Sequence, residues 1–347
     1  MELVDLGGWP GVLGRLTRRE HLTRAEAAAA MADILDGNAT SAQIAGFIVA
    51  LRMKGEQIEE LSGLLDAMLG TADLVTLSGD SSAVIDIVGS GGDQRRTINV
   101  STLAALTAAG AGARVCKHGN RAVSSSSGSA DLLEALGVAL DVTPEVVARC
   151  VTEAGMGFCF APRFHPAMRH AGPSRRELGV PTVFNYLGPI ANPARVRRLV
   201  MGVGDPAMAR PMLEVLAVRG AQRAWVVHGK DGMDELSTTT STSVLELRNG
   251  TISAMTLDAA DYGITLVTAA DLAVHDVGAS VAAARRVLGG EQGPHRDIVV
   301  LNAAAGLLVA GVATDLADGI TKACAALDDG RAEACLRSLV RVSNEKG

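Results

Sequence analysis

The sequence has few aromatic residues, few cysteines and no long apolar run. Aromatic residues make up 3% of the 347 residues and hydrophobic residues as a whole 48%, so we expect an interior of small and branched aliphatic side chains, which suits helical and α/β proteins. The five cysteines are scattered and form no Cys-x-x-Cys pair. This pattern argues against a disulfide framework or a zinc site and is typical of buried thiols in a reducing compartment.

Long runs of one charge sign are also missing. The 32 basic and 38 acidic residues give a net charge of -6, so no nucleic-acid-binding face is expected, although a small basic pocket is compatible with this balance. No run of 18 apolar residues occurs, and the first residues lack the basic start and apolar core of a signal peptide. We therefore expect a soluble, cytoplasmic protein without a membrane or nucleic-acid partner.

The pattern of the chain predicts two domains, as its length does. Thr23-Arg-Ala-Glu26 and Thr40-Ser-Ala-Gln43 are capping-box patterns that precede apolar stripes, and a further amphipathic pattern follows Glu56. We predict a small N-terminal helical domain over residues 1–78, with a later helical contribution from about 165–190.

A different pattern begins at residue 83, where short β-branched runs alternate with longer helical ones. The predicted strands lie at 84–88, 113–116, 199–203 and 224–228, and the predicted helices at 103–110, 130–136, 144–154, 207–218 and 301–310. Asn249-Gly250 is a β-hairpin signal. For residues 79–347 we therefore predict a larger α/β domain with a mostly parallel central sheet flanked by helices.

Three glycines follow the first of these strands, in Asp86-Ile-Val-Gly-Ser-Gly-Gly-Asp-Gln-Arg-Arg-Thr-Ile-Asn-Val-Ser-Thr102. Glycine admits positive φ and has no side chain to obstruct an anion, and the helix that starts near Asn99 offers free amides and a partial positive charge. The segment therefore favours a phosphate site. A purely structural strand-to-helix turn remains an alternative, because the spacing matches neither the Walker nor the Gly-x-Gly-x-x-Gly pattern.

Two further polar segments follow predicted strands. Lys117-His-Gly-Asn-Arg-Ala-Val-Ser-Ser-Ser-Ser-Gly-Ser-Ala-Asp131 offers cations, hydroxyls and backbone amides that suit a second phosphate. Asp234 and Glu235 lie in the loop after 224–228. Side chains of adjacent residues point in different directions, so the two carboxylates can bind one Mg²⁺ each or bridge a pair of Mg²⁺ ions. Because ligands of parallel sheets bind beyond the carboxyl ends of the strands, we expect the three segments to form one site. A solvated acidic turn is the alternative for the third.

Together these motifs resemble anthranilate phosphoribosyltransferases over nearly the whole chain. The matching segments are 51–55, 89–93, 99–102, 117–121, 127–131, 160–162, 165–169, 175–179, 184–189, 231–235 and 302–305. The resemblance implies a pentosyltransferase of tryptophan biosynthesis that joins anthranilate to phosphoribosyl pyrophosphate with Mg²⁺. It also implies a small helical domain beside an α/β domain, and a homodimer formed through the helical part.

The resemblance further implies a role for each motif residue. The phosphoribosyl pyrophosphate positions are Gly89, Gly92, Asp93, Thr97, Asn99, Val100, Ser101, Thr102, Lys117, His118, Gly119, Asn120, Arg121, Ala122, Val123, Ser124, Ser125 and Ser129. The magnesium positions are Ser101, Asp234 and Glu235. Gly89, Asn120 and Arg175 are placed at anthranilate, with the guanidinium facing its carboxylate, although Arg175 is alternatively a surface partner of Glu177.

No general base is assigned, because the aromatic amine sheds its proton readily once it has bonded. His118 beside Lys117 is more typical of a binding or structural group. A pyrimidine nucleoside phosphorylase would carry Lys-His-Ser-Thr-Gly where this chain has Gly89-Ser-Gly-Gly-Asp93, and a nucleic-acid-binding relative would be basic and lack the acidic pair. A phosphoribosyltransferase for a different aromatic amine remains the main alternative.

Overall fold

The computed structural model of the protein describes residues 1–91, 97–122 and 127–345. Its α-helices are α1 (Gly8–Thr17), α2 (Arg24–Leu35), α3 (Ser41–Lys54), α4 (Ile58–Gly70), α5 (Val100–Gly110), α6 (Ser129–Ala135), α7 (Pro144–Glu153), α8 (Ala161–Phe164), α9 (Gly172–Leu178), α10 (Val183–Ile190), α11 (Ala209–Val218), α12 (Val277–Leu288), α13 (Pro294–Ala310), α14 (Leu316–Asp328) and α15 (Arg331–Asn344). Its strands are β1 (Val84–Gly89), β2 (Arg114–Gly119), β3 (Met156–Phe160), β4 (Arg198–Gly202), β5 (Arg223–Gly229), β6 (Thr242–Arg248) and β7 (Thr251–Leu257). Short 3₁₀ helices cover Leu3–Leu6, Ser81–Ala83, Pro166–His170, Pro206–Met208, Ala259–Tyr262 and Ala269–Leu272.

The chain folds into two compact units. The helical unit comprises Met1–Leu74 and Ala161–Pro193, and the α/β unit comprises Val75–Phe160 and Ala194–Gly347. The predicted fold class, a small helical domain and a larger α/β domain, is confirmed. Within the described ranges, no helix has both the length and the apolar character needed to cross a bilayer.

The helical unit begins its second and third helices with the predicted capping boxes. Thr23 Oγ1 accepts the Glu26 amide at 3.3 Å while the Glu26 carboxylate accepts the Thr23 amide at 2.7 Å. Thr40 and Gln43 make the same reciprocal pair at 3.3 and 2.8 Å. Each box satisfies two amides that the first helical turn leaves without partners. The apolar faces that follow are buried, with Phe47 fully enclosed.

A buried ion pair joins α3 and α4 in the same unit. The Lys54 ammonium donates to Glu60 Oε2 at 2.8 Å, and the two side chains are 1% and 0% exposed. The other carboxylate oxygen of Glu60 accepts the Leu22 amide at 2.9 Å. Because a buried carboxylate is costly unless it is paired and hydrogen-bonded, both contacts are needed to keep Glu60 in the interior.

The α/β unit is built on one seven-stranded sheet in the order β3-β2-β1-β4-β5-β6-β7. Strands β1 to β5 are parallel, and β6 and β7 extend the sheet as an antiparallel hairpin. Asn249 and Gly250 join the hairpin with φ of 51° and 78°, which confirms the predicted turn, since tight hairpin turns need positive φ at both central residues. Buried α5 and α13 pack against the parallel part of the sheet.

Three features of the α/β unit differ from the sequence-based expectation. Strand β3 is absent from the prediction, because Met156–Phe160 is short and contains a glycine, although its residues pair with β2 along the whole strand. The predicted helix 301–310 begins earlier, at Pro294, where a proline suits the first helical turn because the missing amide has no partner there. Helices α12, α14 and α15 are also absent from the prediction.

Candidate active site

The carboxyl ends of β1 and β4 lie against the acidic loop that follows β5. A Cβ atom placed on Gly202 would be 1.5 Å from the carbonyl oxygen of Asp234, and one on Gly89 would be 2.5 Å from Asp234 Oδ2. Glycine at Gly202 lets the backbone of the acidic loop approach the end of β4, and glycine at Gly89 leaves room for the Asp234 carboxylate at the end of β1. The sheet edge and the acidic pair therefore belong to one arrangement, as the sequence predicted.

The two carboxylates of the acidic loop reach different segments. Asp234, which is 7% exposed, accepts the Gly91 amide at 2.7 Å through Oδ2. Glu235 accepts the Ser101 amide at 3.1 Å through Oε1. Each carboxylate thus holds a backbone N–H of a segment predicted to bind phosphate. The Asp234 and Glu235 side chains therefore point to different segments. Because Asp234 is buried, it is not part of a solvated acidic turn.

The acidic loop is braced by two polar side chains whose roles the sequence did not reveal. Buried Asn302 on α13 accepts the Leu236 amide at 2.9 Å and donates to the Leu236 carbonyl at 2.9 Å. Asp231 accepts the Met233 amide at 3.1 Å and the Ser237 hydroxyl at 2.9 Å. Since each of the two side chains makes at least two hydrogen bonds to the loop, the loop enters the site as a fixed element.

The start of α5 contributes one backbone donor to this arrangement. The Val100 and Thr102 amides are bonded locally, to the carbonyls of Ile98 and Asn99, whereas the Ser101 amide is given to Glu235. The Val100 and Thr102 side chains are buried, so these two residues present backbone only. Before the helix, Thr97 forms an isolated antiparallel bridge with Ala273, and this bridge anchors the incoming chain.

Asn99 precedes α5 but does not cap it with its side chain. Its Nδ2 donates to the Ser127 carbonyl at 2.9 Å, and its Oδ1 accepts the hydroxyl of buried Ser280 on α12 at 2.6 Å. The side chain therefore connects the two segments predicted to bind phosphate. No sequence signal points to Ser280, because this contact joins residues 181 positions apart.

Lys117 on β2 points into the interior beneath these segments. Its ammonium donates to the Ile87 carbonyl at 2.5 Å and to Ser101 Oγ at 3.2 Å, and the residue is 1% exposed. Burial lowers the pKa of Lys117, while the charges of Asp86, Glu235 and Asp234 act in the opposite direction. Lys117 thus lies beside Ser101, at the residues predicted to bind metal.

The segment that follows β2 is organised around Asn120 and Asp131. The Asn120 carbonyl accepts the Ser129 hydroxyl at 3.2 Å, and Asp131 accepts the Ala122 amide at 3.0 Å. The Arg121 guanidinium donates to Glu134 at 2.7 Å and to Asp131 at 3.0 Å, and these hydrogen bonds raise its pKa. Arg121 is therefore bound to two acids in this structure. The His118 ring and Gly119 complete β2, the ring being buried.

Five of the predicted phosphate-binding residues lie outside the described ranges, namely Gly92, Asp93, Val123, Ser124 and Ser125. Gln94, Arg95 and Arg96 also lie outside them.

Arg175 belongs to the helical unit, on α9. Its guanidinium carbon lies 5.2 Å from the centre of the Phe184 ring, a cation–π contact within the same unit. Burial lowers the pKa of Arg175. It makes no ion pair with Glu177 or with any other acid that the structure describes. A partly buried guanidinium with this environment is suited to an external carboxylate.

The ligand types in the α/β unit fit magnesium better than a transition metal. No group of three or more His, Cys, Asp or Glu side chains capable of holding a metal occurs in the ranges described. What the structure offers is two carboxylates, Asp234 and Glu235, with the Ser101 hydroxyl nearby. Magnesium is typically held by one or two carboxylates and completes its octahedron with water and substrate phosphate oxygens.

Comparison with known proteins assigns this arrangement to a family. Residues 81–333 match the model described as "Glycosyl transferase family, a/b domain", and residues 10–72 match "Glycosyl transferase family, helical bundle domain". The chain is 51% identical to the anthranilate phosphoribosyltransferase of Salinispora arenicola over 342 residues, which cover 97% of both chains. The chain belongs to the anthranilate phosphoribosyltransferase family. The family resemblance and the enzyme class predicted from the motifs, a pentosyl-transferring glycosyltransferase, are confirmed.

Solved structures of this family share the fold. The anthranilate phosphoribosyltransferase of Thermus thermophilus superposes with a TM-score of 0.90 at 41% identity, covering 96% of this chain and 99% of that one. The Saccharomyces cerevisiae enzyme, solved in complex with PRPP and Mg, superposes with a TM-score of 0.88 at 27% identity, covering 96% and 97%.

Proposed function

We propose that this protein transfers the phosphoribosyl group of phosphoribosyl pyrophosphate to the amine of anthranilate, with release of pyrophosphate, as a step of tryptophan biosynthesis. The observation that carries the proposal is the pair of contacts from Asp234 to the Gly91 amide and from Glu235 to the Ser101 amide. These contacts bring carboxylates suited to Mg²⁺ together with backbone donors suited to phosphate. The S. cerevisiae relative solved with PRPP and Mg supports the same pair of ligands.

The donor would be bound by the carboxyl ends of β1 and β2 and by the start of α5. We assign to it Gly89, Gly92, Asp93, Thr97, Asn99, Val100, Ser101, Thr102, Lys117, His118, Gly119, Asn120, Arg121, Ala122, Val123, Ser124, Ser125 and Ser129. Ser101, Asp234 and Glu235 would hold Mg²⁺. The backbone donors at Gly91 and Ser101 and the Lys117 ammonium support this assignment, because each offers positive charge or an N–H to an anion.

The reaction depends more on stabilising the departing pyrophosphate than on removing a proton from the amine. The bond between the anomeric carbon and the pyrophosphate oxygen breaks with its electron pair going to pyrophosphate, and the amine nitrogen bonds to the carbon and loses a proton to solvent. When bound, Mg²⁺ supplies neutralisation of charge on the pyrophosphate oxygens. The Lys117 ammonium and the amides at the sheet edge stabilise the same developing charge, as preorganised donors do. We assign no general base.

The carboxylate–amide contacts imply that donor and metal binding are coupled. In this structure Asp234 and Glu235 satisfy the Gly91 and Ser101 amides. A phosphate can accept those amides only when the carboxylates leave them, and a carboxylate that leaves can bind Mg²⁺ instead. We infer that Mg²⁺ and donor bind with positive cooperativity, and that the donor without metal binds weakly because it meets two acids.

Anthranilate has one carboxylate, for which Arg175 is the proposed partner. The guanidinium is partly buried, stacked near Phe184 and without an acidic partner among the described residues, so a bidentate pair with an external carboxylate would satisfy it. Gly89 and Asn120 remain predicted acceptor contacts. A homodimer, a cytoplasmic location and the domain boundaries at 1–78 and 79–347, with the later helical contribution from about 165–190, also remain predictions.

The decisive experiment follows the fluorescence of anthranilate. Purified protein with phosphoribosyl pyrophosphate and Mg²⁺ should cause a decay that disappears when donor is omitted or a chelator is added. A decay that needs both donor and metal supports the proposal. Binding of donor without any decay would refute anthranilate as acceptor, and other aromatic amines would then be tested under the same conditions.

A further inference from the structure

The backbone ladder between β1 and β2 stops before the strands reach the candidate active site. Strand β1 pairs with β4 over five residues, from Ile85 to Gly89, but its ladder with β2 contains only two pairs and ends at Ile85 with Val115. Past that point, side chains take the place of backbone partners. The His118 amide donates to Asp86 Oδ2 at 3.0 Å, and the Ile87 carbonyl accepts the Lys117 ammonium at 2.5 Å.

Asp86 lies just past the last backbone pair of this ladder and is fully buried. A carboxylate in that position is costly unless hydrogen bonds and an opposite charge offset the loss of water. The His118 amide provides a hydrogen bond, and Asp86 is the first of the three acids whose charge acts on buried Lys117. Asp86 therefore contacts the backbone of the residue next to Lys117, at the base of the segments that we assign to the donor.

We propose that Asp86 is a positioning residue for the donor site, which bridges β1 and β2 where their backbone ladder stops and keeps the Lys117 ammonium between the Ile87 carbonyl and Ser101 Oγ. This inference rests on the proposed function, because it concerns how the donor's pyrophosphate is bound. Asp86 itself lies beneath the strand ends and acts through Lys117 and the His118 backbone.

The acids that act on Lys117 explain why removing the charge of Asp86 should weaken binding of the metal and pyrophosphate. Besides Asp86, the acids that act on the ammonium are Glu235 and Asp234. If the charge of Asp86 is removed, these two carboxylates supply the remaining negative charge that acts on the ammonium, and Lys117 then competes with Mg²⁺ for them. Loss of Asp86 is therefore expected to weaken binding of the metal–pyrophosphate pair, and to do so without a change at the acceptor.

The test compares Asp86→Asn with the wild-type enzyme by calorimetric titration with pyrophosphate at a fixed Mg²⁺ concentration. Asparagine keeps the shape and an oxygen that can accept the His118 amide, so the variant removes mainly the charge. We expect about a tenfold rise in the dissociation constant of pyrophosphate, or about 1.4 kcal/mol. The KM of the donor should rise by a similar factor, while the KM of anthranilate should stay within about twofold.

Glu60→Gln is the matched control, because Glu60 is also a fully buried carboxylate paired with a buried lysine, Lys54, but belongs to the helical unit. Glu60→Gln is expected to lower the unfolding temperature, because it removes the charge of one partner in a buried ion pair, and to leave the pyrophosphate affinity unchanged. If both variants weaken pyrophosphate binding equally, general destabilisation accounts for the effect and the inference fails.

A double-mutant cycle with Lys117→Met tests whether Asp86 acts through the lysine. The effect of Asp86→Asn on pyrophosphate affinity should largely vanish in the Lys117→Met background, and additive losses would refute the proposal. If Asp86→Asn alone does not fold, adding Lys117→Met should restore folding because no unbalanced ammonium remains, and failure to restore it would also count against the proposal. Wild-type protein that binds neither pyrophosphate nor donor would refute the proposed function itself, whereas equal affinities of wild type and Asp86→Asn would refute only this inference.

Discussion

Replacing Gly202 by alanine tests whether the acidic loop must lie against the strand ends. The new Cβ atom would be 1.5 Å from the Asp234 carbonyl oxygen, whereas such contacts essentially never fall below 3.0 Å. The backbone at Asp234 must therefore retreat by about 1.5 Å, the difference between these two distances. Since the obstructing atom belongs to the backbone, a change of side-chain rotamer cannot relieve the overlap.

The retreat should reduce activity more than stability. Overpacking of this kind lowers the free energy of unfolding by about 1 to 3 kcal/mol. A misplacement of about 1 Å in a reacting constellation costs about 100-fold in rate. We therefore expect kcat/KM of Gly202→Ala to fall by at least about 100-fold while the protein still folds. The Mg²⁺ concentration for half-maximal activity should also rise, because Asp234 and Glu235 move with the loop.

The assay is the anthranilate fluorescence decay over a range of Mg²⁺ concentrations, with thermal unfolding measured on the same samples. Gly70→Ala provides the control, because a Cβ atom on that residue meets nothing within 4 Å and Gly70 ends α4 in the helical unit. It should leave activity unchanged. Wild-type kcat/KM and Mg²⁺ dependence in Gly202→Ala would refute the view that this close approach places the acidic pair.

Three other changes should have separable effects. Arg175→Ala should raise the anthranilate KM by about 100-fold, as loss of a charged hydrogen-bonded pair does, and leave the donor KM nearly unchanged, which steady-state kinetics can measure. Asp234→Asn combined with Glu235→Gln should abolish Mg²⁺-dependent turnover, and substantial remaining activity in the fluorescence assay would contradict the metal assignment. The ring of His165 bonds to the Ala191 carbonyl at 2.9 Å, and burial lowers its pKa, so the unfolded chain binds the extra proton more readily. The stability contributed by neutral His165 should be complete above the pKa of about 6.5 that the residue has in the unfolded chain. Below that pH the free energy of unfolding should fall by up to about 1.4 kcal/mol per pH unit. In urea unfolding between pH 7 and 5, His165→Gln should make the free energy of unfolding depend less on pH.

The sequence indicated which segments could offer backbone amides to an anion, because that property depends on residue type. Glycines after a buried strand and a helix predicted to start near Asn99 indicate backbone donors. In the structure, however, the Val100 and Thr102 amides are bonded locally and Glu235 accepts the Ser101 amide. The targets of the acidic pair were not predictable in the same way. The contacts of Asp234 with Gly91 and of Glu235 with Ser101 span 143 and 134 residues, and only the folded sheet brings those segments together.

Charged residues are harder to interpret from sequence, because their roles depend on neighbours in space. The sequence pattern places Arg121 among the cations of a phosphate segment, yet in the structure it is bound to Asp131 and Glu134. Asp86 lies within an apolar run and has no predicted role, although it replaces a backbone partner of β2. Short β3 escapes prediction because its pairing with β2 supplies order that its own composition does not.

The discontinuity of the helical unit has a consequence for folding during synthesis. Its first segment ends at Leu74, but α8 to α10, which complete it, end only at Ile190, and the second segment closes at Pro193. At about 5 to 20 residues per second, the ribosome needs roughly 6 to 24 s to make the intervening 119 residues (193 − 74). During that interval α3 and α4 lack the apolar surface of α10 that packs on them. Nascent chains of this protein are therefore expected to expose that surface to chaperones, and the helical unit should reach its final stability only while the α/β unit is still being made.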